Sequence, residues 1–392
     1  MKVLAPPGQL SADISAHKEI ERLERDRMNQ AEENLYKKVK SDICRMIFRG
    51  IYQEGDLIPP ERRLSEELKV SRVTVRKALK LLEEERIISR IQGSGTRVSM
   101  HYGAREGNME IITLVASAQN EFFARFMDVF QTEADRRDSL VLFKQKPGNI
   151  SLRRCLYQIY EKGIRNVVLW PESMQPDEEM FRVLKGLGLN MVLFDTVEGG
   201  RYADAVCLDN ADAIRKLHTQ LSRSGCRKIG YIGWDEMSIG SQRVREETFR
   251  TLEPEGRICS IPYQYRSRLH MLPEELILST LEFVRSCDGI IYAVGEIGAV
   301  FEGYLKKKRP YGCKQAEEVF AEENEEESHM MHKAGMIDTV PGIEDLGIYT
   351  VEQDFEQMAE RIFHCLHLQN RAGSGWKAAD YHIEGRRLFQ EL

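Results

Sequence analysis

Arg72, Arg76 and Lys80 recur at four-residue intervals, and between them Val75, Ala78, Leu79 and Leu82 stand at i, i+3, i+4 and i+7. A helix over this stretch buries the apolar row and turns the basic row outward. Guanidinium groups one turn apart on such a helix can grip phosphates or read guanine edges bidentately in a major groove. On periodicity alone the same row could equally do no more than solvate a helix face.

The elements that would position this row are legible on both sides of it. Leu35, Val39, Ile43, Met46 and Ile47 recur at helical spacing, and Gly50 follows near the helix end. Pro59-Pro60-Glu61 opens a short second helix through Leu64 and Leu68, since proline is tolerated in a first turn. The turn Lys69-Val70-Ser71 leads into the basic helix, with Ser71 as its N-cap. Ile87–Arg90 and Thr96–Val98 pair as short strands across Gln92-Gly93-Ser94-Gly95, whose glycines suit a tight hairpin. Helix, helix-turn-helix and β-wing follow in order.

The stretch from Ile58-Pro59-Pro60-Glu61-Arg62-Arg63-Leu64-Ser65 through Val70-Ser71-Arg72-Val73-Thr74-Val75-Arg76 to Gln92-Gly93-Ser94-Gly95-Thr96 closely resembles the winged-helix domain of the GntR family of bacterial transcription regulators. That resemblance implies DNA contacts from Arg62, Arg72 and Arg76, phosphate contacts from Ser71 and Thr74, and a minor-groove approach at Gly93. Pro60 departs from the family's usual Ser, which removes a capping or phosphate contact.

The chain of 392 residues needs at least two folding units. Its 42% hydrophobic and 30% charged content is that of a globular protein, and no run approaches the roughly 20 apolar residues of a membrane helix. The charged N-terminal stretch lacks the apolar region of a secretory signal, so a cytoplasmic protein is expected. Cys44, Cys155, Cys207, Cys226, Cys259, Cys287, Cys313 and Cys365 lie far apart, which predicts reduced, mostly buried thiols and no metal site. Lys and Arg outnumber Asp and Glu by 15 to 9 over residues 34–100, whereas residues 101–392 carry 36 basic against 46 acidic side chains. A basic head preceding an acidic body is an electrostatic footprint for nucleic acid. The expected organisation is a polar arm (1–33), a winged helix-turn-helix domain (34–100), a linker (101–109) and a two-lobed effector-binding domain (110–392). A Glu-rich tract at 316–327 is expected to be solvated.

Within that last segment, strand-like runs at Ile111–Val115, Leu140–Phe143, Val167–Leu169, Met191–Phe194, Ile229–Ile232 and Gly289–Tyr292 alternate with amphipathic stretches such as Phe122–Arg136 and Leu152–Glu161. The pattern predicts α/β architecture: two doubly wound lobes of parallel sheet, with a ligand between them at the carboxyl ends of the strands. No phosphate-cradling, nucleophile-elbow or zinc-protease motif is present in the sequence, so catalysis gains no support and no cofactor is expected.

Asn120-Glu121-Phe122-Phe123, Phe194-Asp195, Asp209-Asn210, Ser224-Gly225-Cys226-Arg227-Lys228-Ile229-Gly230-Tyr231-Ile232-Gly233 and Thr350-Val351-Glu352-Gln353 look like the periplasmic-binding-protein-like effector domain of LacI/GalR repressors. The whole is similar in organisation to the arabinose repressor AraR. The resemblance places an effector-gripping Arg at Arg245, with Arg243 the near alternative, and a carboxylate ligand at Glu296 where the family has Asp. Arg and carboxylate on opposite walls can hold vicinal sugar hydroxyls, with Phe122, Phe123 or Trp234 stacking on the ring. One of the two phenylalanines is expected in the helix core, and Asp209 reads equally as effector ligand or helix cap. The departures are Cys226 for the usual His, Thr248 for Gly, and divergence after Lys308, where the Glu-rich tract stands in place of an ordinary strand and loop.

Together these resemblances imply a homodimeric repressor that reads a palindromic operator on double-stranded DNA and releases it when a small polar effector, most simply a sugar, closes the cleft. The alternatives are a DNA-binding protein with a vestigial sensor, or a head fused to a catalytic module; for the latter no pyridoxal-binding lysine pattern is recognisable.

Overall fold

The computed structural model describes residues 35–91, 93, 95–100, 111–116, 121–146, 150–171, 177–196, 200–305, 332–340, 347–371 and 376–388. The expected arm, the linker, the Glu-rich tract and Cys313 lie outside the described residues. The chain divides into two compact units: Met1–Gly103 with Arg153–Gly163 and Glu179–Leu189, and Ala104–Leu152 with Ile164–Glu178 and Asn190–Leu392.

The first unit opens with α1 (35–48), whose Val39, Ile43 and Ile47 are buried while Leu35 is exposed. Then come β1 (Leu57–Ile58), α2 (Glu61–Leu68), α3 (Arg72–Glu84), β2 (Ile88–Ile91) and β3 (Gly95–Val98), the strands in antiparallel order β1-β3-β2. Pro60 stands at the N-cap of α2 rather than inside its first turn, and it gives no side-chain cap bond. Two further helices belong to this unit, most of α5 (Leu152–Glu161) and of α6 (Glu178–Gly186). Phe48 at the end of α1 stacks on Tyr157 with ring centroids 4.0 Å apart, and the Arg153 guanidinium lies 4.8 Å from the Phe48 ring while donating to the Phe48 carbonyl at 2.6 Å. Cys44 Sγ and Tyr160 Oη sit 3.3 Å apart, and Arg45 pairs with Glu161 at 2.6 Å. Arg182 of α6 reaches Glu54 at 3.2 Å.

A buried aromatic pair of this kind contributes packing that alanine cannot replace. Phe48→Ala is expected to cost about 3 kcal/mol and to raise native-state hydrogen exchange in Leu156–Tyr160 together with α1. Faster exchange in α1 alone would show that the two helices open independently.

The second unit holds two six-stranded sheets. The first has the order β14-β8-β7-β6-β4-β5 and is parallel throughout, built from β4 (Ile111–Ala116), β5 (Leu140–Gln145), β6 (Asn166–Trp170), β7 (Asn190–Phe194), β8 (Asp204–Leu208) and β14 (Asp380–Ile383). It carries α4 (Glu121–Asp135) and α11 (Phe355–Arg371), which pack on one another. The second has the order β10-β9-β11-β12-β13-β15, from β9 (Ile229–Trp234), β10 (Arg257–Ile261), β11 (Gly289–Tyr292), β12 (Lys333–Ile337), β13 (Tyr349–Glu352) and the antiparallel β15 (Arg386–Leu388). Its helices are α7 (Asn210–Arg223), α8 (Gly240–Leu252), α9 (Glu274–Arg285) and α10 (Gly295–Leu305). The chain passes between the lobes three times, from β8 to α7, from β13 to α11 and from β14 to β15. Strands β6, β7, β8 and β9 are buried along their whole length, as strands covered on both faces must be.

One sequence expectation is corrected. The strand thought to be replaced by the Glu-rich tract is present as β12, paired between β11 and β13 just beyond that tract. Among the described residues no helix is long and apolar enough to cross a membrane. Of the seven described cysteines six are buried and Cys259 is partly so, and none of the seven is in a disulfide.

Candidate functional site

Helix α3 is fixed by its own sequence. The Ser71 hydroxyl accepts the Thr74 amide at 3.1 Å, capping the N-terminus, and Val75, Ala78, Leu79 and Leu82 are buried beneath it. The opposite face is open to solvent at Arg72, Val73, Arg76 and Lys80. Arg76 is tethered to Glu61 of α2 at 3.1 Å, a carboxylate that also faces Arg90 of β2 at 3.6 Å. Arg62 is exposed beside Glu66 at 3.1 Å. Surface pairs of this strength are weak and exchange readily for phosphate. Gly93, with φ +78°, sits where a Cβ would be strained, so this position of the wing stays free of a side chain. Arg62, Ser71, Arg72, Thr74, Arg76 and Gly93 therefore all lie in one winged helix-turn-helix. Val73, 60% exposed on α3, was missed by the sequence reading; an outward apolar side chain there suits a thymine methyl.

The second cluster lies where the two sheets of the larger unit end. Asp195 follows β7 and Asp338 follows β12, both in left-handed backbone, φ 56° and 66°. The Gln353 amide, just after β13, donates to both carboxylates at 3.3 Å. Burial pushes the Asp195 carboxyl up to about 7, against the pull of Arg245 and with the negative charge of Asp338 adding to the rise. Burial likewise raises Asp338. Each keeps some accessible surface, so they line the space between the lobes rather than a sealed core. Arg245 of α8 is 5% exposed; it donates to Asn210 Oδ1 and to the Ala293 carbonyl, both at 2.6 Å. From α4, Arg125 reaches the Thr339 carbonyl and Glu352 at 3.3 Å.

The predicted effector residues divide. Arg245 is central to the cluster, whereas Arg243 is partly exposed and points a guanidinium nitrogen to the Met237 carbonyl at 3.5 Å. Glu296 lies in the first turn of α10, raised by burial and then by the negative charge of Glu121 on the other lobe. Asp209 caps α7, accepting the Asp212 amide at 2.8 Å, and its neighbour Asn210 makes the contact with Arg245. Phe122 is half-buried, 5.5 Å from Trp170 and 5.3 Å from Phe355, while Phe123 is the core residue of the pair and stacks on Trp170 at 5.1 Å. Trp234 is buried at the end of β9, edge-on to Tyr263. Asp338 went unread. The repeated pattern of an apolar strand followed at once by Asp, Met-Val-Leu-Phe-Asp and Gly-Met-Ile-Asp, is the signal that could have found it.

Residues 35–98 match the family model for bacterial regulatory proteins, gntR family. Over 64 residues the chain is 48% identical to the mannosyl-D-glycerate transport/metabolism system repressor MngR of Escherichia coli K12, covering 16% of this chain and 27% of that protein. Over 80 residues it is 38% identical to the Exu regulon transcriptional regulator of the same organism, 19% of this chain and 31% of that one. The chain thus spans about a quarter to a third of the curated relatives it matches. Among solved structures it is similar to a LacI transcriptional regulator from Lactobacillus brevis, with a TM-score of 0.56, 12% identity and coverage of 71% of this chain and 100% of that one. It is also similar to the Cra transcriptional dual regulator of Pseudomonas putida in complex with fructose 1-phosphate, with a TM-score of 0.55, 15% identity and coverage of 73% and 100%. The head is a GntR-type winged helix-turn-helix, and the body has the two-lobed fold of LacI-type regulators.

Proposed function

We propose that this chain is a cytoplasmic, homodimeric transcription regulator, most simply a repressor, whose two heads read a palindromic operator and whose inter-lobe cleft binds a small polar effector, a sugar or sugar derivative. The observation that carries the reading is α3: a capped helix on a GntR-type head, with Arg72 and Arg76 outward and its apolar stripe fully buried. Arg62, Arg72 and Arg76 supply direct or phosphate contacts, Ser71 and Thr74 the phosphate clamp, and Gly93 the close approach of the wing. In the body, Arg245 and Glu296 are the effector ligands, with Phe122 offering a ring face; Asp209 caps α7 itself, Asn210 beside it bonds Arg245, and Arg243 stands further out. A ligand moves such a protein between states only by its differential affinity for them.

Selection of source genomic fragments by the purified protein is the test. A shared short palindrome among the retained fragments is the expected result, and retention without a common motif would count against a specific operator. On that palindrome Arg76→Ala is expected to weaken binding by about 1–3 kcal/mol, read by titration at fixed salt. Unchanged affinity would remove Arg76 from the base-reading set.

A further inference from the structure

Resting on the reading of α3 as the operator-reading helix, we propose that Val73 reads one base of each half-site through a methyl contact, so that the operator places a 5-methylpyrimidine, thymine in unmodified DNA, against it. The position of Val73 on the helix carries the argument. At about 100° per residue, the buried side chains Val75, Ala78, Leu79 and Leu82 share one direction, and Val73 points almost directly away from it. Arg72 and Arg76 lie to one flank of that outward line, and Arg76 is drawn to Glu61 of α2 at 3.1 Å. Lys77 lies to the other flank, its ammonium 5.9 Å from the centre of the Tyr36 ring of α1. The N-terminal turn of a recognition helix is the part that meets base edges, and Val73 is the most directly outward side chain of that turn.

Single exposed apolar side chains are ordinary on a protein surface. This one is 60% exposed, yet Arg72 before it and its neighbours one helical turn on, Arg76 and Lys77, are all basic and exposed. An apolar protein partner would strip water from those charges, whereas DNA meets them with phosphates and covers the valine with a base edge. Valine brings nothing to α3 itself, because at an exposed helix position its β-branching makes it a weaker helix former than alanine. Having no polar side-chain atom, it gains only from an apolar group, and the major groove displays one, the C5-methyl of thymine. Cytosine shows an amine and no methyl there. The basic side chains thus fix affinity and register, and Val73 adds discrimination between thymine and cytosine that phosphate contacts do not supply.

The experiment uses the full chain and an operator that it selects from random-sequence duplexes. Each thymine of the half-site is replaced in turn by deoxyuridine, which removes the methyl group and leaves every hydrogen-bonding atom in place, and affinity is read by titration at fixed salt. One thymine per half-site is expected to respond, with a loss of about fourfold for each head, as for one methyl group withdrawn from water. At the same position 5-methylcytosine is expected to bind more tightly than cytosine. Val73→Ala is expected to weaken binding to the selected operator by a similar factor and to bind the thymine and deoxyuridine duplexes alike. Because alanine is the better helix former at an exposed site, the variant is expected to melt no lower than the parent, so its lost affinity reports the contact and not the fold. The proposal is overturned if no thymine responds, if the response survives Val73→Ala, or if cytosine and 5-methylcytosine bind equally. A selection that returns no common sequence overturns the operator reading, and the Val73 contact falls with it.

Discussion

Arg245→Ala is expected to lower the stability of the larger unit by about 3–5 kcal/mol, the range for removing one partner from a buried charged network. The side chain is 5% exposed, and its two 2.6 Å bonds hold the first residue of α7 and the end of β11. Alanine leaves Asn210 Oδ1 and the Ala293 carbonyl without that donor, and it withdraws the positive charge that holds down both Asp195 and Asp338. Arg245→Lys restores the charge without the planar fork, so it is expected to recover part of the loss. The measurement is favourable because all three tryptophans, Trp170, Trp234 and Trp376, belong to the larger unit, and fluorescence-detected urea unfolding therefore follows that unit. A midpoint shift worth less than about 1 kcal/mol would mean that water replaces both bonds freely. Operator binding by Arg245→Ala, measured below its unfolding midpoint, is expected to persist while the response to effector is lost.

The second large effect depends on pH. Because the Asp195 carboxyl is pushed up from 3.8 to about 7, the fold favours its protonated form. That contribution is fully present below about pH 4 and is lost as pH rises through 7. Asp195→Asn is neutral throughout and escapes the loss, and Asn tolerates the left-handed φ of 56°. Relative to the parent protein, the variant is expected to gain stability from pH 4.5 to 8 and then level off. At about 1.4 kcal/mol for each pH unit of displacement, and allowing for the solvent that still reaches the group, the plateau is about 2–4 kcal/mol. The groups that set the profile are Arg245, Asp338, Gln353 and Trp170. A difference that stays flat over this range would return Asp195 to the ordinary carboxylate range.

Much of the head was legible because its signals are local. The stripe Val75, Ala78, Leu79 and Leu82, the Ser71 cap and the wing glycines each act within a turn or two of chain, and all appear where the sequence puts them. Strand β1 was not legible: two residues, Leu57 and Ile58, carry no periodicity and become a strand only by pairing with Arg97 and Thr96. In the body the alternation of strands was readable, and so was Arg245, through a resemblance rather than through spacing. The carboxylate cluster was not, since Asp195, Asp338 and Gln353 are 143 and 15 residues apart along the chain and a crossing from one lobe to the other, β8 to α7, lies between the two aspartates. Left-handed backbone at an aspartate leaves no mark that a glycine would have left. Likewise Tyr157 and Tyr160 read as an ordinary helix stripe, and nothing local says that Phe48 and Cys44 are what they meet.

That meeting has a consequence for biosynthesis. The unit containing the head draws on chain up to Leu189, roughly 90 residues beyond Val98 at the end of the wing. At a ribosomal rate of about 5–20 residues per second, a nascent head waits some 5–20 s after its own last strand emerges before Tyr157, Tyr160 and Arg182 can seat against it. The order of synthesis thus leaves the Phe48 and Cys44 face of α1 uncovered until several strands of the body have already been made.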